Sequence, residues 1–341
     1  MRTVLVTGAS GVVGRAVAAH LRDCRVIGLV HCDLAVPGVA EVLPGDLAEP
    51  WLGLGEDRWR QLAAEVDSII HCAALTRWGQ PYQRYEAINV EGTRRVAELA
   101  KAAGAPVHLQ STCFVHAIER GRVGDLNPTN VVTPYISSKL ESERVLADSG
   151  VPHSVFRPTN LVGDSATGAS SQPQIVQQMS DWIARGKAPY VPVHPGNLID
   201  VAPLDVLAAA TARAAEADDT GSPPYWVTYG AAGMTIDTTL EILRAHVAAR
   251  GRVLELPPVV DPDLPLPVPL EQVPPRSRAF LKVLIDVSEV TRACGGVLPT
   301  SLPLLAERFG VPAASDTEAY RRSLDYWADE RAGGREAVEA G

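Results

Sequence analysis

Short apolar runs alternate with longer stretches of helical periodicity through the first half of this 341-residue chain. The runs Thr3–Thr7, Arg25–Val30, Ser68–Cys72, Val107–Ser111 and Ser154–Arg157 read as buried strands, with a weaker one at Glu41–Leu43. Between them the spacing predicts helices over Val12–Arg22, Glu56–Val66, Tyr82–Ala103 and Pro134–Asp148. Pro134 suits a first helical turn, while Gly104 and Gly150 suit helix stops. Apolar strands separated by helices make βαβ units, so the expected core is a parallel sheet with helices on its faces.

After residue 160 the alternation becomes irregular. A loop, Gly163–Gly168, leads to a helix around Gln174–Arg185; Tyr225–Tyr229 reads as a strand and Thr235–Arg250 as a helix. Residues 257–275 are rich in proline, which excludes helix and predicts an extended surface connection or a flap across the cleft. Helices near Arg276–Ile285, Ser301–Phe309 and Ser315–Glu330 close the chain.

The stretch Thr7-Gly-Ala-Ser-Gly-Val-Val-Gly14 joins the first strand to the first helix. A nucleotide pyrophosphate needs backbone N–H donors at a helix start and no side chains in the way. Gly8, Gly11 and Gly14 supply this, with Ser10, Val12 and Val13 between them. The spacing is G-x-x-G-x-x-G, and a glycine pattern alone also fits a tight strand–helix turn. Its place at the first βα junction favours a dinucleotide site. The fold class is therefore α/β, a doubly wound parallel Rossmann sheet with a smaller, mostly helical substrate-binding region. The division expected is a dinucleotide-binding domain over 1–160, a substrate region over 161–330 interleaved with the last sheet elements, and a frayed tail over 331–341.

Tyr135 and Lys139 stand at i, i+4 on a predicted helix and so share a face. An ammonium beside the phenol favours the phenolate and lowers its pKa, making Tyr135 a usable general acid or base. The sequence holds only four lysines among 31 basic residues, which weakens chance as the origin of the pair. Ser111 and Thr112 end a strand at the carboxyl edge of the sheet, where ligands sit in open α/β folds. Thr112 is the stronger candidate for holding a substrate carbonyl against Tyr135; a turn hydroxyl is the alternative. Gly92 inside the long helix implies close packing on a neighbour and directs Asn89 towards the site. His71-Cys-Ala-Ala74 ends the fourth strand with small residues that leave room for a ribose. His71 and Cys72 read as packed strand-end residues, and no metal site is expected.

A net charge of −9 argues against nucleic acid or an anionic membrane as partner. No apolar run is long enough to span a bilayer. Five scattered cysteines without a CxxC pair read as reduced thiols, and no leader precedes the first strand, so the expected location is cytoplasmic.

Together these segments resemble the extended short-chain dehydrogenase/reductases: TGASGVVG (7–14), Gly45-Asp46-Leu47, His71–Ala74, Asn89-Val-x-Gly-Thr93, Ser111-Thr112, Tyr135-x-x-x-Lys139 and Arg157-Pro158-Thr-Asn-x-x-Gly163. The resemblance covers residues 1 to about 230. It implies that the glycines hold the pyrophosphate, that Asp46 and Leu47 lie beside the adenine, and that Ala73 and Ala74 pass the ribose. It further implies that Lys139 bonds the nicotinamide ribose, Tyr135 donates the proton, Thr112 orients the oxygen, Asn89 belongs to a water chain, and Pro158 starts the loop near the nicotinamide. The hydride implied is the pro-S one. Trp78, Tyr82 and the 163–170 loop are expected to line the substrate cleft, with packing as the alternative role for the aromatics.

An acid ending the second strand would mark NAD, and Val30 stands there instead. His31 takes the place where NADP-using relatives carry Arg, with Arg15 as a possible aid; Asp33 is the acid that would restore NAD. NADP is expected, NAD the alternative. Within the family, residues 45–170 resemble the thioester reductases that end carrier-protein assembly lines, through Gly45–Gly55, Trp59, His71–Ala74, Gln110–Thr112 and Gly163–Gly168. The resemblance implies reduction of a carrier- or CoA-bound acyl thioester to aldehyde or alcohol. The lack of Arg at position 31 and of a fused carrier domain departs from that group and keeps open a stand-alone aldehyde or ketone reductase or hydroxy-dehydrogenase. A sugar-nucleotide epimerase weighs less without the acid. A non-catalytic dinucleotide sensor weighs less because Tyr135 and Lys139 are both present. Relatives pair through the helices at 82–103 and 134–148, whereas carrier-acting members are often monomers, so monomer and homodimer both stay open.

Overall fold

The structure, a computed structural model, describes residues 1–339. The first half follows the expected order closely. Strands β1 (Thr3–Thr7), β2 (Arg25–Val30), β3 (Glu41–Pro44), β4 (Ser68–His71), β5 (Val107–Gln110) and β6 (His153–Pro158) alternate with helices. The helices are α1 (Val12–His20), α2 (Glu56–Glu65), α3 (Tyr82–Tyr85), α4 (Glu91–Ala103), α5 (His116–Glu119) and α6 (Thr133–Ser149). The helix expected over 82–103 is broken by a turn of π-helix, Glu86–Val90, that carries Asn89. Such turns are frequent at functional sites.

The second half contributes β7 (Asn160–Val162), α7 (Ile175–Ala184), β8 (Val191–Pro192), β9 (Val201–Pro203), α8 (Leu204–Glu216), β10 (Tyr225–Val227), α9 (Ile236–Ala248), β11 (Val259–Val260), α10 (Pro275–Ala293), α11 (Leu302–Phe309) and α12 (Asp316–Glu339). Of the tail expected to fray, residues 340 and 341 lie outside the described residues, and α12 continues past 330, where the last helix was expected to end.

Seven strands form one parallel sheet in the order β3-β2-β1-β4-β5-β6-β10. All five residues of β1 are buried, which explains its unbroken apolar run. Its neighbours β2 and β4 lead to opposite sides of the sheet, and that divergence opens a crevice at the carboxyl ends of the strands. One face is packed by α2 and α4 around Leu5, Ile69 and Leu109, the other by α1 and α8 around Val4, Val6 and Ile70.

Gly92 does what its place in a helix required. A Cβ there would stand 2.9 Å from the Leu47 Cβ, so α4 lies directly on the loop after β3. The proline-rich stretch is a surface connection and not a flap: β11 pairs with β8, and Leu256, Leu266, Val268 and Leu270 pack on the core formed by α7, α9 and α12. Among the described residues no helix is long and apolar enough to cross a membrane.

Candidate active site

The loop after β1 is built to bring backbone close to backbone. Gly8 adopts φ +68°, and a Cβ on it would stand 2.7 Å from the Cα of Ala73 at the end of β4. A Cβ on Gly14 would stand 2.1 Å from the Gly8 carbonyl oxygen, so only glycine lets α1 pack this tightly on the loop. Gly11 caps α1 with no side-chain hydrogen bond, leaving its first-turn N–H groups without a side-chain partner. This side-chain-free cradle fits a pyrophosphate. Gly8, Gly11, Val12, Val13 and Gly14 line one end of a cavity of about 620 Å³.

The same cavity is lined by Thr112, Tyr135, Lys139 and Pro158. Thr112 follows β5 in extended conformation (φ −153°, ψ 147°) and is buried, as are Tyr135 and Lys139 on α6. Burial pushes the Tyr135 phenol up, the nearby Cys113 adds to this, and the hydrogen bond with the Thr112 hydroxyl draws it partly back. Lys139 Nζ donates to the Gln110 backbone oxygen at 2.5 Å. Burial lowers its ammonium to about 8, against the pull of Glu143 and Cys72. The lowering of the Tyr135 pKa expected from Lys139 is outweighed by burial: one Lys139 donor goes to β5, and desolvation holds Tyr135 as a neutral phenol.

One participant escaped the sequence reading. Glu143 lies one helical turn beyond Lys139 and is buried with Arg157, whose Nε and one terminal nitrogen donate to it at 3.1 and 2.6 Å. Arg157 also holds Glu119 in two hydrogen bonds and lies 4.7 Å over the Trp226 ring. Ser111 donates its hydroxyl to Glu143, so it braces this cluster. The i, i+4, i+8 spacing of Tyr135, Lys139 and Glu143 was the signal that could have found it.

His71 is a packed strand-end residue, as expected. Its Nδ1 lies 2.7 Å from the Thr7 hydroxyl, which accepts from Ala73 N; its Nε2 lies 3.1 Å from the Thr93 hydroxyl, which donates to the Asn89 carbonyl. The chain of bonds suits a neutral ring, and burial, aided by Lys139, pushes its pKa down to about 3. Because the folded pKa is depressed, the unfolded chain binds the proton first. The stability His71 contributes is complete above pH 6.5 and is lost as pH falls towards 3. By pH 5 the loss is about 2 kcal/mol. Urea unfolding at pH 7 and pH 5 should show this drop in wild type and a smaller one in His71→Asn; equal drops would refute it.

The remaining expected residues are placed as follows. Asn89 is corrected: its amide oxygen accepts from Leu75 N, its nitrogen donates to Leu75 O and Ser138 Oγ, and it does not line the cavity. It ties the loop after β4 to α6, with both amide hydrogens engaged in that tie. Ala74 lines the cavity, while Ala73 sits on Gly8. Leu47 is buried in the core against α4. Asp46 accepts from Ala48 N and lies 3.8 Å from the exposed His31. Ser10 offers its carbonyl to Arg15, and Arg15 pairs with Asp33 at 2.5 Å. Trp78 lines the cavity; Tyr82 does not. The 163–170 loop misses it too, with Gly168 against the backbone of Arg322 in α12; Asn160, Leu161, Gln172, Pro173, Gln174, Ile175 and Gln178 take its place. His194, Asp261 and Asp263 could together reach a metal ion, but Asp263 is ion-paired with Arg292 and His194 bonds Ser288.

Residues 37–211, just over half of the chain, match the family described as male sterility protein. The chain belongs to this family. It is an extended short-chain dehydrogenase/reductase, hence an oxidoreductase with a nicotinamide cofactor. Among relatives, a component of the linear gramicidin synthase of Brevibacillus parabrevis is 31% identical over 240 residues, covering 60% of this chain and 5% of that protein. Fusarin C synthetase of Gibberella moniliformis is 29% identical over 232 residues, covering 61% and 6%. The reductase thus spans about a twentieth of the length of these relatives. In fold it is similar to the terminal R domain from the myxalamid PKS-NRPS biosynthetic pathway (TM-score 0.71, 21% identity, covering 97% of this chain and 91% of that one). It is also similar to the Bordetella bronchiseptica enzyme WbmG in complex with NAD and UDP (TM-score 0.64, 18% identity, covering 96% and 94%).

Proposed function

We propose that this chain reduces an acyl thioester carried on a phosphopantetheine arm to the aldehyde, releasing the thiol, with NADPH as reductant. The observation that carries the reading is that one cavity holds both the glycine cradle and the Thr112, Tyr135 and Lys139 side chains. Relatives that are assembly-line synthetases support the substrate class. The absence of an acid at Val30 supports NADP; Asp33, the acid that would suit NAD, lies beyond the end of β2 and is paired with Arg15. Gly8, Gly11, Val12, Val13 and Gly14 would hold the pyrophosphate, Ala74, Tyr135 and Lys139 the nicotinamide ribose, and Pro158 would border the ring.

When bound, the cofactor supplies a hydride. Thr112 and Tyr135 would hold the substrate oxygen, and charge developing on it is met by two hydroxyl donors. Tyr135, kept neutral by burial, is in the form that can donate a proton to that oxygen. Lys139 keeps a positive charge behind the phenol below about pH 8.

The test is to follow NADPH and NADH oxidation with a pantetheine-linked acyl thioester and with the matching aldehyde, titrating released thiol. One thiol released for each NADPH consumed is expected. Aldehyde or ketone turnover without thiol release would make the chain a carbonyl reductase instead.

A further inference from the structure

The cavity has an unbalanced charge pattern. This is a chain of net charge −9 with 40 acidic residues, yet among the described residues no carboxylate lines the cavity. Two cations do. Lys139 is buried and bonded to Gln110, so it belongs to the chemistry already described. Arg77 is exposed, follows β4 in the loop before α3, and makes no ion pair among the described residues. An unpaired guanidinium in a site free of carboxylates attracts an anion and presents a fork of donors matched to phosphate oxygens.

The segment from 172 to 178 adds a second feature. Gln174 donates its amide nitrogen to Gln172 O and Gln178 donates its own to Pro173 O, both at 3.0 Å. Their amide oxygens accept nothing from the described residues and are left to accept from a ligand in the cavity they line. A ligand meeting these groups brings amide N–H donors to the two oxygens and an anion to Arg77. A pantetheine arm has two amides and a terminal phosphate.

We propose that Arg77 reads the phosphate of the substrate's phosphopantetheine arm, with Gln174 and Gln178 accepting from its amides. This rests on the thioester reading above. Arg77 sets which thioesters are captured and takes no part in proton or hydride transfer.

The experiment compares the same acyl group on pantetheine, on 4′-phosphopantetheine, on coenzyme A and on a carrier-protein serine, for wild type, Arg77→Gln and Arg77→Lys. The KM of wild type is expected to be about fivefold lower for the phosphorylated arm than for pantetheine. In Arg77→Gln that ratio should fall towards one, and in Arg77→Lys it should be partly restored, with the KM for NADPH unmoved. Dependence on Arg77 in both the coenzyme A and the carrier arm means that the phosphate itself is read; dependence in the carrier arm alone assigns the protein-borne source. Wild type that treats both arms alike, Arg77→Gln that keeps the preference, or a rise confined to the KM for NADPH would overturn the assignment. Failure to reduce any of the four thioesters would instead refute the thioester reading, and the assignment with it.

Discussion

Tyr135→Phe is expected to lower kcat about 1000-fold while the dinucleotide still binds. The ring stays, so its packing beside Tyr85 (6.2 Å between centroids) is kept, and only the donor is lost. Thr112 then remains as the single hydroxyl at the substrate oxygen, which can orient it but has no cation behind it to favour proton release. Stopped-flow or steady-state NADPH oxidation measures the rate, and quenching of tryptophan fluorescence measures dinucleotide binding. A fall of less than tenfold would remove Tyr135 from the chemistry. The pH profile separates the two titrating groups. Burial raises Tyr135, so the phenol stays protonated through neutrality, whereas Lys139 loses its proton near pH 8. The alkaline fall in kcat/KM is therefore expected near pH 8 and assigned to the lysine.

The second large effect concerns stability. Arg157→Met should destabilise the fold by about 3–5 kcal/mol, because it strands the Glu143 carboxylate in a buried site without its cation. It also removes the cation from above Trp226 and releases Glu119. The double variant Arg157→Met with Glu143→Leu should recover much of that loss, since burying no charge is easier than burying one. Denaturant unfolding of the two variants gives both numbers. If the single variant lost under 1 kcal/mol, water would be reaching Glu143 and the cluster would not be the dry brace described. Because Ser111 and Lys139 border this cluster, its loss should also loosen the end of β5 on which Thr112 stands.

The parts of the site that were legible in the sequence are those whose chemistry is local. The glycine loop, the Tyr135–Lys139 face and the small residues ending β4 each announce themselves within a few positions, and the strands of the first half are runs buried on both faces. What was hidden depends on distant partners. Helix α8 was not expected because its polar stripe is thin: nine of its residues are buried against the sheet, α1 and α11, and the solvent face is only Asp205, Ala209, Arg213 and Glu216. Asn89 resembled a relay residue by motif, but its bonds to Leu75 and Ser138 come from packing that no spacing reveals. The 163–170 loop resembles a cleft wall in sequence, but its Gly168 packs on α12, more than 150 residues later. Glu143 was overlooked because its partner Arg157 lies on the next strand and its charge alone suggested a solvated helix face.

The position of β10 sets a limit on how this chain can be made and cut. The outermost strand of the main sheet arrives at Tyr225–Val227, after the lobe elements β7, α7, β8 and β9 have already been synthesised. Until then β6 is an open edge, and α8 is absent from the sheet face it covers. A fragment ending near residue 160 would expose a row of unpaired backbone groups and a bare apolar surface, a template for aggregation. Grafting a substrate region from a relative must therefore leave α8 and β10 with the nucleotide half, so the workable seams fall on either side of residues 204–227 and not at the single boundary that the order of strands suggests.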